Sequence, residues 1–273
     1  MTQKVTRAAA LPMYDLPELE AAHDALWAAI AVRLRAECVA GVPERLTRTE
    51  PLESIWSDPN LLLTQTCGYP LMTSLHERVA LVATPHYSAP GCDGPFYRSA
   101  VIVRADSPAS VLADLRGARC AINELTSNSG MNVLRAAVAP LAQGRAFFGA
   151  ALITGGHLAS IGAVVSGEAD VAAIDCITWA HWRRLQTAEA GLVRVLTWTE
   201  CTPGLPYITA PATDVQTRAA LSRALEDVAQ DPSLSEVRAT LLLDGFSYLP
   251  DSRYRVILDL ERAAALQGYP VLC

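Results

Sequence analysis

The chain has 273 residues, a formal net charge of −6 and a sequence pI of 5.4, with 51% hydrophobic and 18% charged residues. That balance argues against a grip on nucleic acid, which needs a segregated basic surface, and it is too apolar for a disordered or solvating chain. The length suits one large domain or two modest ones, and the longest apolar stretches fall short of the roughly 20 residues that cross a bilayer, so no membrane span is expected.

At the amino terminus Pro12, Asp15, Pro17 and Glu18 interrupt any run of signal-peptide length. The sequence as it stands predicts a cytoplasmic address, and a periplasmic one where a leader has been removed. Seven cysteines (Cys38, Cys67, Cys92, Cys120, Cys176, Cys201 and Cys273) form no CxxC pair. Their odd number suits reduced thiols better than a disulfide framework or a zinc site, and no cofactor or metal is expected. Cys38, Cys120 and Cys273 read as small core or terminal thiols, and a Cys92–Cys67 disulfide is open to the fold.

Taken in chain order, residues 8–13 read as a first strand. Leu19, Ala22, Leu26, Ile30 and Leu34 then recur at spacings of three and four, one face of a long helix with Trp27 beside it. Short Val, Ile and Leu runs predict strands at 61–64, 79–83, 100–103, 119–122, 151–153, 171–174 and 193–196. Between them, Met131, Leu134, Val138 and Leu141 make one helical stripe and Ile161, Val164 and Val165 another. From Asp214 onward the pattern predicts helix after helix, with Leu221, Leu225 and Val228 on one face and Tyr254, Ile257 and Leu258 on another. The alternation is that of an α/β protein whose helices cover mixed, mostly parallel sheets. With two lobes, the chain crosses near residues 97–104 and 198–207, where Pro203, Gly204 and Pro206 punctuate it.

Nucleotide, hydrolase, zinc-protease and calcium-loop fingerprints are absent from the sequence. What remains is a set of polar turns between a strand and a helix, the place where open α/β sheets bind ligands. The richest is Asn123-Glu124-Leu125-Thr126-Ser127-Asn128-Ser129-Gly130. A helix start leaves backbone N–H groups unpaired and carries partial positive charge, so hydroxyl and N–H donors there hold an oxyanion without a lysine. A plain N-cap is the alternative. Thr154-Gly155-Gly156-His157 is the second turn, with His157 a donor or a cap. Gln65-Thr66-Cys67-Gly68-Tyr69-Pro70 is the third, and Asp175, which selects an amine or hydroxyl or else caps a helix, the fourth. Trp179, Trp182, Arg183 and Arg184 read as helix packing and a solvated face.

These residues carry a resemblance. Tyr97-Arg98-Ser99-Ala100-Val101-Ile102-Val103-Arg104, then Leu115-Arg116-Gly117, the Ser/Asn/Gly turn, Gly155-Gly156-His157 and Gly167-Glu168-Ala169-Asp170-Val171-Ala172-Ala173 resemble, in order and spacing over residues 97–199, the phosphate/phosphite/phosphonate substrate-binding proteins of ABC importers. The resemblance implies a type II periplasmic-binding-protein fold, two α/β lobes closing like a clamshell on a ligand held in the cleft between them. Residues 1–98 with 205–273 would form lobe 1, and 99–204 lobe 2. It also implies that Thr126, Ser127 and Ser129 take the anion's oxygens, that Tyr97 and His157 line the cleft, and that Asp175 lies near a selective acidic position; Asn128, which departs from the family's Ser/Thr run, and Gly130 are candidates in the same turn. Tyr14, Gln65, Cys67 and Tyr69 would contribute from the first lobe.

The expected function is therefore capture of a small anionic ligand such as a phosphonate or phosphate, with an ABC permease as partner. Two alternatives share the scaffold. One is a cytosolic enzyme using Asp175, His157 and Cys67 as acid, base and nucleophile. The other is a sensor that passes its bound state to a regulator.

Overall fold

The computed structural model describes residues 7–272. Residues 1–6, on which part of the amino-terminal reading rests, and Cys273 lie outside the described residues. In chain order the first elements are β1 (Ala8–Ala9), α1 (Glu20–Ala36), α2 (Leu52–Trp56), β2 (Leu61–Gln65), α3 (Gly68–Met72) and β3 (Ala80–Tyr87). Next come β4 (Cys92–Asp93), β5 (Phe96–Tyr97), β6 (Ser99–Arg104), β7 (Arg119–Ile122), α4 (Val133–Ala142), β8 (Ala150–Ile153), α5 (His157–Ser166), β9 (Val171–Asp175), α6 (Cys176–Leu185) and β10 (Val193–Trp198). The remainder holds β11 (Thr202–Pro203), β12 (Tyr207–Thr209), α7 (Val215–Gln230), α8 (Ser235–Leu241), β13 (Leu243–Ser247), α9 (Asp251–Tyr254) and α10 (Val256–Leu266).

The chain divides into two compact units. Unit 1 runs to Ser88 and adds Asp93–Pro95 and Pro203–Arg253; unit 2 holds Ala89–Cys92, Phe96–Thr202 and the chain from Tyr254 onward. In unit 1 the five-stranded sheet has the order β1-β2-β12-β3-β13, with β1 parallel to β2 and β12 antiparallel to both its neighbours. The α1 stripe packs on it as its spacing requires. Leu19, Leu26, Trp27, Ile30 and Leu34 are buried against Leu62, Leu63 and Val82, and each buried side chain of this kind stabilises by about 1.5–3 kcal/mol.

Unit 2 is built on a second five-stranded sheet, β10-β6-β9-β7-β8, in which β9 and β7 are parallel and β6 is antiparallel to β9. Alternation along β6 decides which layer each residue joins: Val101 and Val103 enter the core shared with α4 and α10, and Ala100 and Ile102 the core shared with α5 and α6. Both faces are thus covered, which is why β6 and β9 read as continuous apolar runs.

Several expectations differ from what the fold contains. The sheets are mixed but not mostly parallel, since β12 runs antiparallel to β2 and β3, β13 to β3, and β6 to β9 and β10, pairings that need no helical crossover. The strand predicted over 8–13 is cut to two residues, because Pro12 has no N–H to give a ladder and starts a 3₁₀ turn at Pro12–Tyr14. β12 and β13 were not legible: the first is three residues long, and the second interrupts the predicted helical tail. Leu242 leaves α8 in the left-handed region at φ 56°, and the chain then pairs antiparallel with β3 through Leu243↔Tyr87 and Phe246↔Pro85. Cys120 is buried as expected of a core thiol, whereas Cys38 is exposed, also at positive φ.

The division into units differs too, since the chain after Arg253 belongs with unit 2 rather than with the first lobe. Ala264, Tyr269 and Leu272 enter the α4 core. The buried Arg135 donates from Nη1 to Pro270 O at 2.8 Å and from Nη2 to Asn132 Oδ1 at 2.7 Å, and pairs with Glu261 at 3.5 Å. Arg135→Met keeps the stem and strands these acceptors, so it is expected to lower the unfolding free energy in urea by about 2–4 kcal/mol. A loss below about 0.5 kcal/mol would show that the carboxy-terminal segment is held by packing alone.

Candidate functional site

The Ser/Asn turn of unit 2 follows β7 and opens directly into a π-helical turn, Asn128–Asn132, before α4 begins. Its bonds span five residues: Asn132 N donates to Ser127 O at 3.1 Å and Val133 N to Asn128 O. The wider turn inserts one extra residue and rotates the side chains that precede α4, a device common where backbone must face a ligand. Ser127 is the N-cap, its Oγ accepting from Gly130 N at 3.0 Å. The hydroxyl proton is still available for donation. Ser129 is buried, with its Oγ 2.8 Å from His157 Nε2, and Thr126 is exposed.

Asn128 has a different place. It is fully buried, its Nδ2 donates to Tyr97 Oη at 3.3 Å and Thr202 Oγ1 at 3.0 Å, and its Oδ1 accepts from Asn132 Nδ2 at 3.1 Å. Both amide hydrogens are thus committed to a strut between the helix start and the buried ends of β5 and β11. Gly130 must be glycine for lack of room, since a Cβ there would stand 1.9 Å from Asn123 Oδ1 and 3.2 Å from His157 Cε1. That Asn123 Oδ1 is buried with no hydrogen-bond partner among the described residues, and so is His157 Nδ1. Two orphaned polar atoms beside one helix start are a feature that an ordinary cap does not leave.

The second turn places His157 at the first position of α5 after Gly156, with Gly155 at φ 84° turning the chain. Thr154 Oγ1 closes the turn on Ser160 Oγ at 2.7 Å. Burial pushes the His157 imidazole down from 6.5 to about 4, so the ring is neutral at physiological pH and its two nitrogens serve as one donor and one acceptor. A helix start adds to the same direction. No lysine or arginine hydrogen-bonds to Ser127, Ser129 or His157 in the bonds described, and the donors there are all neutral.

Asp175 ends β9 and caps α6, with Oδ1 accepting from Ile177 N at 2.8 Å and Thr178 N at 3.1 Å, and it is 1% exposed. This is the capping alternative of the two that the sequence left open. Trp179 and Trp182 stack at 5.2 Å within the α6 packing, as expected for that helix. Among the described residues no group of three His, Cys, Asp or Glu side chains is placed to hold a metal ion, and no helix is long and apolar enough to cross a membrane.

In unit 1 the expected contributors separate. Tyr14 and Gln65 meet in one small pocket, lined also by His23, Tyr87 and Tyr207, whereas Tyr69 sits in α3 and does not line it. Cys67 precedes α3 without capping it. Gln65 Nε2 donates to Leu205 O at 2.9 Å, and the Tyr14 and Tyr87 rings meet edge to face at 5.2 Å. Burial raises the Tyr207 phenol although a hydrogen bond with Tyr87 opposes it. Nδ1 of His23 stands 3.1 Å from Asp15 Oδ1. Burial would raise Asp15, but the hydrogen bonds and charges of His23 and Arg48 outweigh it and hold the carboxyl below its usual range. The sequence did carry a signal for His23, which lies four residues after Leu19 and three before Leu26 on the buried α1 stripe. Tyr87, Tyr207 and Asn132 carried none.

The depressed His157 has a stability consequence. Above pH 6.5 the ring is neutral folded and unfolded, and its contribution is complete. As pH falls from 6.5 towards 4 the unfolded chain binds a proton that the folded one refuses, so stability is lost across that window and levels off below it. Wild type is expected to lose about 2–3 kcal/mol more than His157→Gln between pH 7 and pH 4, read by urea denaturation. Parallel curves would show that His157 titrates normally.

Comparison with known proteins adds the family. The model of the family described as "ABC transporter, phosphonate, periplasmic substrate-binding protein" matches residues 59–254. Among curated proteins no significant match is found. Solved structures share the fold at low identity. A binding-protein component of an ABC phosphonate transporter from Pseudomonas aeruginosa is 15% identical with a TM-score of 0.77, covering 97% of this chain and 88% of that one. PhnD1 from Prochlorococcus marinus, in complex with methylphosphonate, is 14% identical with a TM-score of 0.74 over 97% and 99%. XAC2383 from Xanthomonas citri, bound to chloride ion, is 17% identical with a TM-score of 0.73 over 96% and 98%. The fold is that of the two-lobed periplasmic binding proteins, and with the matched span covering well over half its length, the chain belongs to the periplasmic substrate-binding proteins of phosphonate ABC transporters.

Proposed function

We propose that this protein captures a small phosphonate, phosphate or similar oxyanion at the start of the π-helical turn in unit 2 and delivers it to the permease of an ABC importer, outside the cytoplasm. The observation that carries the reading is the pair of orphaned buried atoms, Asn123 Oδ1 and His157 Nδ1, beside the hydroxyls of Ser127 and Ser129. An oxyanion accepts from the Ser127 hydroxyl, from the free N–H groups of the turn and from one further donor, either the Ser129 hydroxyl or His157 Nδ1–H, since the Ser129–His157 bond uses the other proton of that pair. Asn123 joins as a donor after a half-turn of its amide, which exchanges Oδ1 for Nδ2. Thr126, exposed at the mouth of the turn, takes an outer oxygen.

Asn128 and Tyr97 serve this site as supports rather than as donors, and Asp175 serves as the cap of α6. Neutral donors suit a ligand that must be released again, because they bind an anion without the stronger charge-assisted bonds of an ion pair.

The test is binding of methylphosphonate, phosphate, methylsulfonate and acetate to the purified chain by calorimetry and thermal shift. A saturable rise in Tm of about 5 °C at a hundredfold excess over Kd is expected for one of the first two. Ser129→Ala and Ser127→Ala are each expected to weaken that binding about 10- to 100-fold while the unliganded Tm moves little for Ser129→Ala and more for the capping Ser127→Ala. Unchanged affinity in both variants would remove the turn from the binding site.

A further inference from the structure

Cys92 and Cys176 are separated by 84 residues and brought Sγ to Sγ within 3.3 Å. Both belong to unit 2, Cys92 as the last residue before the chain leaves it at Asp93. Cys92 is half-buried; Cys176 is buried at the first position of α6, directly after the capping Asp175. Gly91 makes the approach possible. At φ 103° it adopts a backbone closed to other residues, and a Cβ on it would stand 2.7 Å from Trp198 Cζ3 and 3.0 Å from Cys176 Cβ. Backbone bonds fix the turn in this place: Cys92 N donates to Ala89 O at 3.0 Å, Arg98 N to Gly91 O at 3.0 Å and Cys176 N to Arg98 O at 3.3 Å.

We propose that Cys92 and Cys176 are a redox-active pair that closes to a disulfide and fastens the turn at residues 89–92 to the start of α6. Neither thiol belongs to the anion site, so the inference does not depend on the ligand reading. A disulfide needs the sulfurs about 1.3 Å closer than the 3.3 Å at which they stand. Sequence reasoning had offered Cys67 to Cys92; the sulfur beside it belongs to Cys176.

The oxidant is a disulfide, of a small molecule or of a thiol oxidoreductase. Cys92, the reachable sulfur, loses its proton to solvent and attacks one sulfur of that disulfide, expelling the other as a thiolate and forming a mixed disulfide. Cys176 then loses its proton and attacks Cys92 Sγ. The bond between Cys92 and the carrier breaks, the Cys92–Cys176 bond forms, and the second carrier thiolate leaves. Two electrons pass from the cysteine pair to the carrier, and two protons are released to be taken up by its two thiolates. Burial and the hydrogen bond with Cys92 keep Cys176 protonated until that second step. The pair suits an oxidising compartment and would stay reduced in a reducing one.

The experiment treats the full chain with oxidised glutathione and compares it with chain reduced by dithiothreitol. A fall of about 2 Da in intact mass is expected, with tryptic peptides 79–98 and 146–183 joined, since each contains one cysteine. The oxidised chain should melt about 5–10 °C above the reduced one. Cys92→Ser and Cys176→Ser should both abolish the bridge, and Cys92→Ser, at the half-buried position, keeps the test valid if the buried substitution fails to fold. An unchanged mass, a bridge between other cysteines, a glutathione adduct on Cys92 that Cys176 fails to displace, or a 2 Da loss that persists in Cys92→Ser would each overturn the proposal.

Discussion

Asn128 is the interaction on which unit 2 depends. A primary amide with no exposed surface must satisfy two hydrogens and an oxygen, and it does so with Tyr97, Thr202 and Asn132. Through Asn132 the same network reaches Ile257 O at 2.9 Å and the Arg135 guanidinium, and through Arg135 it reaches Pro270 and Glu261. One buried polar chain thus joins the helix start to segments that are far away in sequence. Each member costs stability if its partners are missing, so the network admits one arrangement and rejects near alternatives.

That rigidity bears on the anion recognition proposed for this turn. A helix start is a weak anion site while its first turn can fray, because ordering the turn is then part of binding. Here the turn is held from below by the Asn128 strut and from the side by the Gly130–Asn123 contact. The donors are in place before the ligand arrives. Neutral His157 fits the same logic: an imidazolium buried beside Ser129 would need a fixed counter-charge, and the neutral ring needs none.

Most of the framework was legible in the sequence. The α1 stripe, the paired apolar runs of β6 and β9 and the polar turn before Met131 each carry their reason locally, in residue spacing and in turn chemistry. What could not be read was whatever depended on a partner far along the chain. Asn128 looked like one more donor among Thr126, Ser127 and Ser129, but both its amide hydrogens are taken by Tyr97 and Thr202, 31 and 74 residues away. Asp175 was ambiguous because a cap and a ligand contact ask for the same carboxylate at the same strand end. β13 was hidden by Asp244 and Gly245, residues of poor strand propensity, and exists because the free edge of β3 was there to pair with.

The sequence by itself determined the α/β class, the main strands and helices and the polar turn before Met131, since periodicity and helix-start chemistry act over a few residues. The tertiary structure decided which partners the polar side chains at that place find, where the carboxy-terminal segment packs and which cysteine stands beside Cys92. Those outcomes follow from burial, which makes every polar atom find a partner, and the partner it finds is set by packing across the whole unit rather than by its neighbours in the chain.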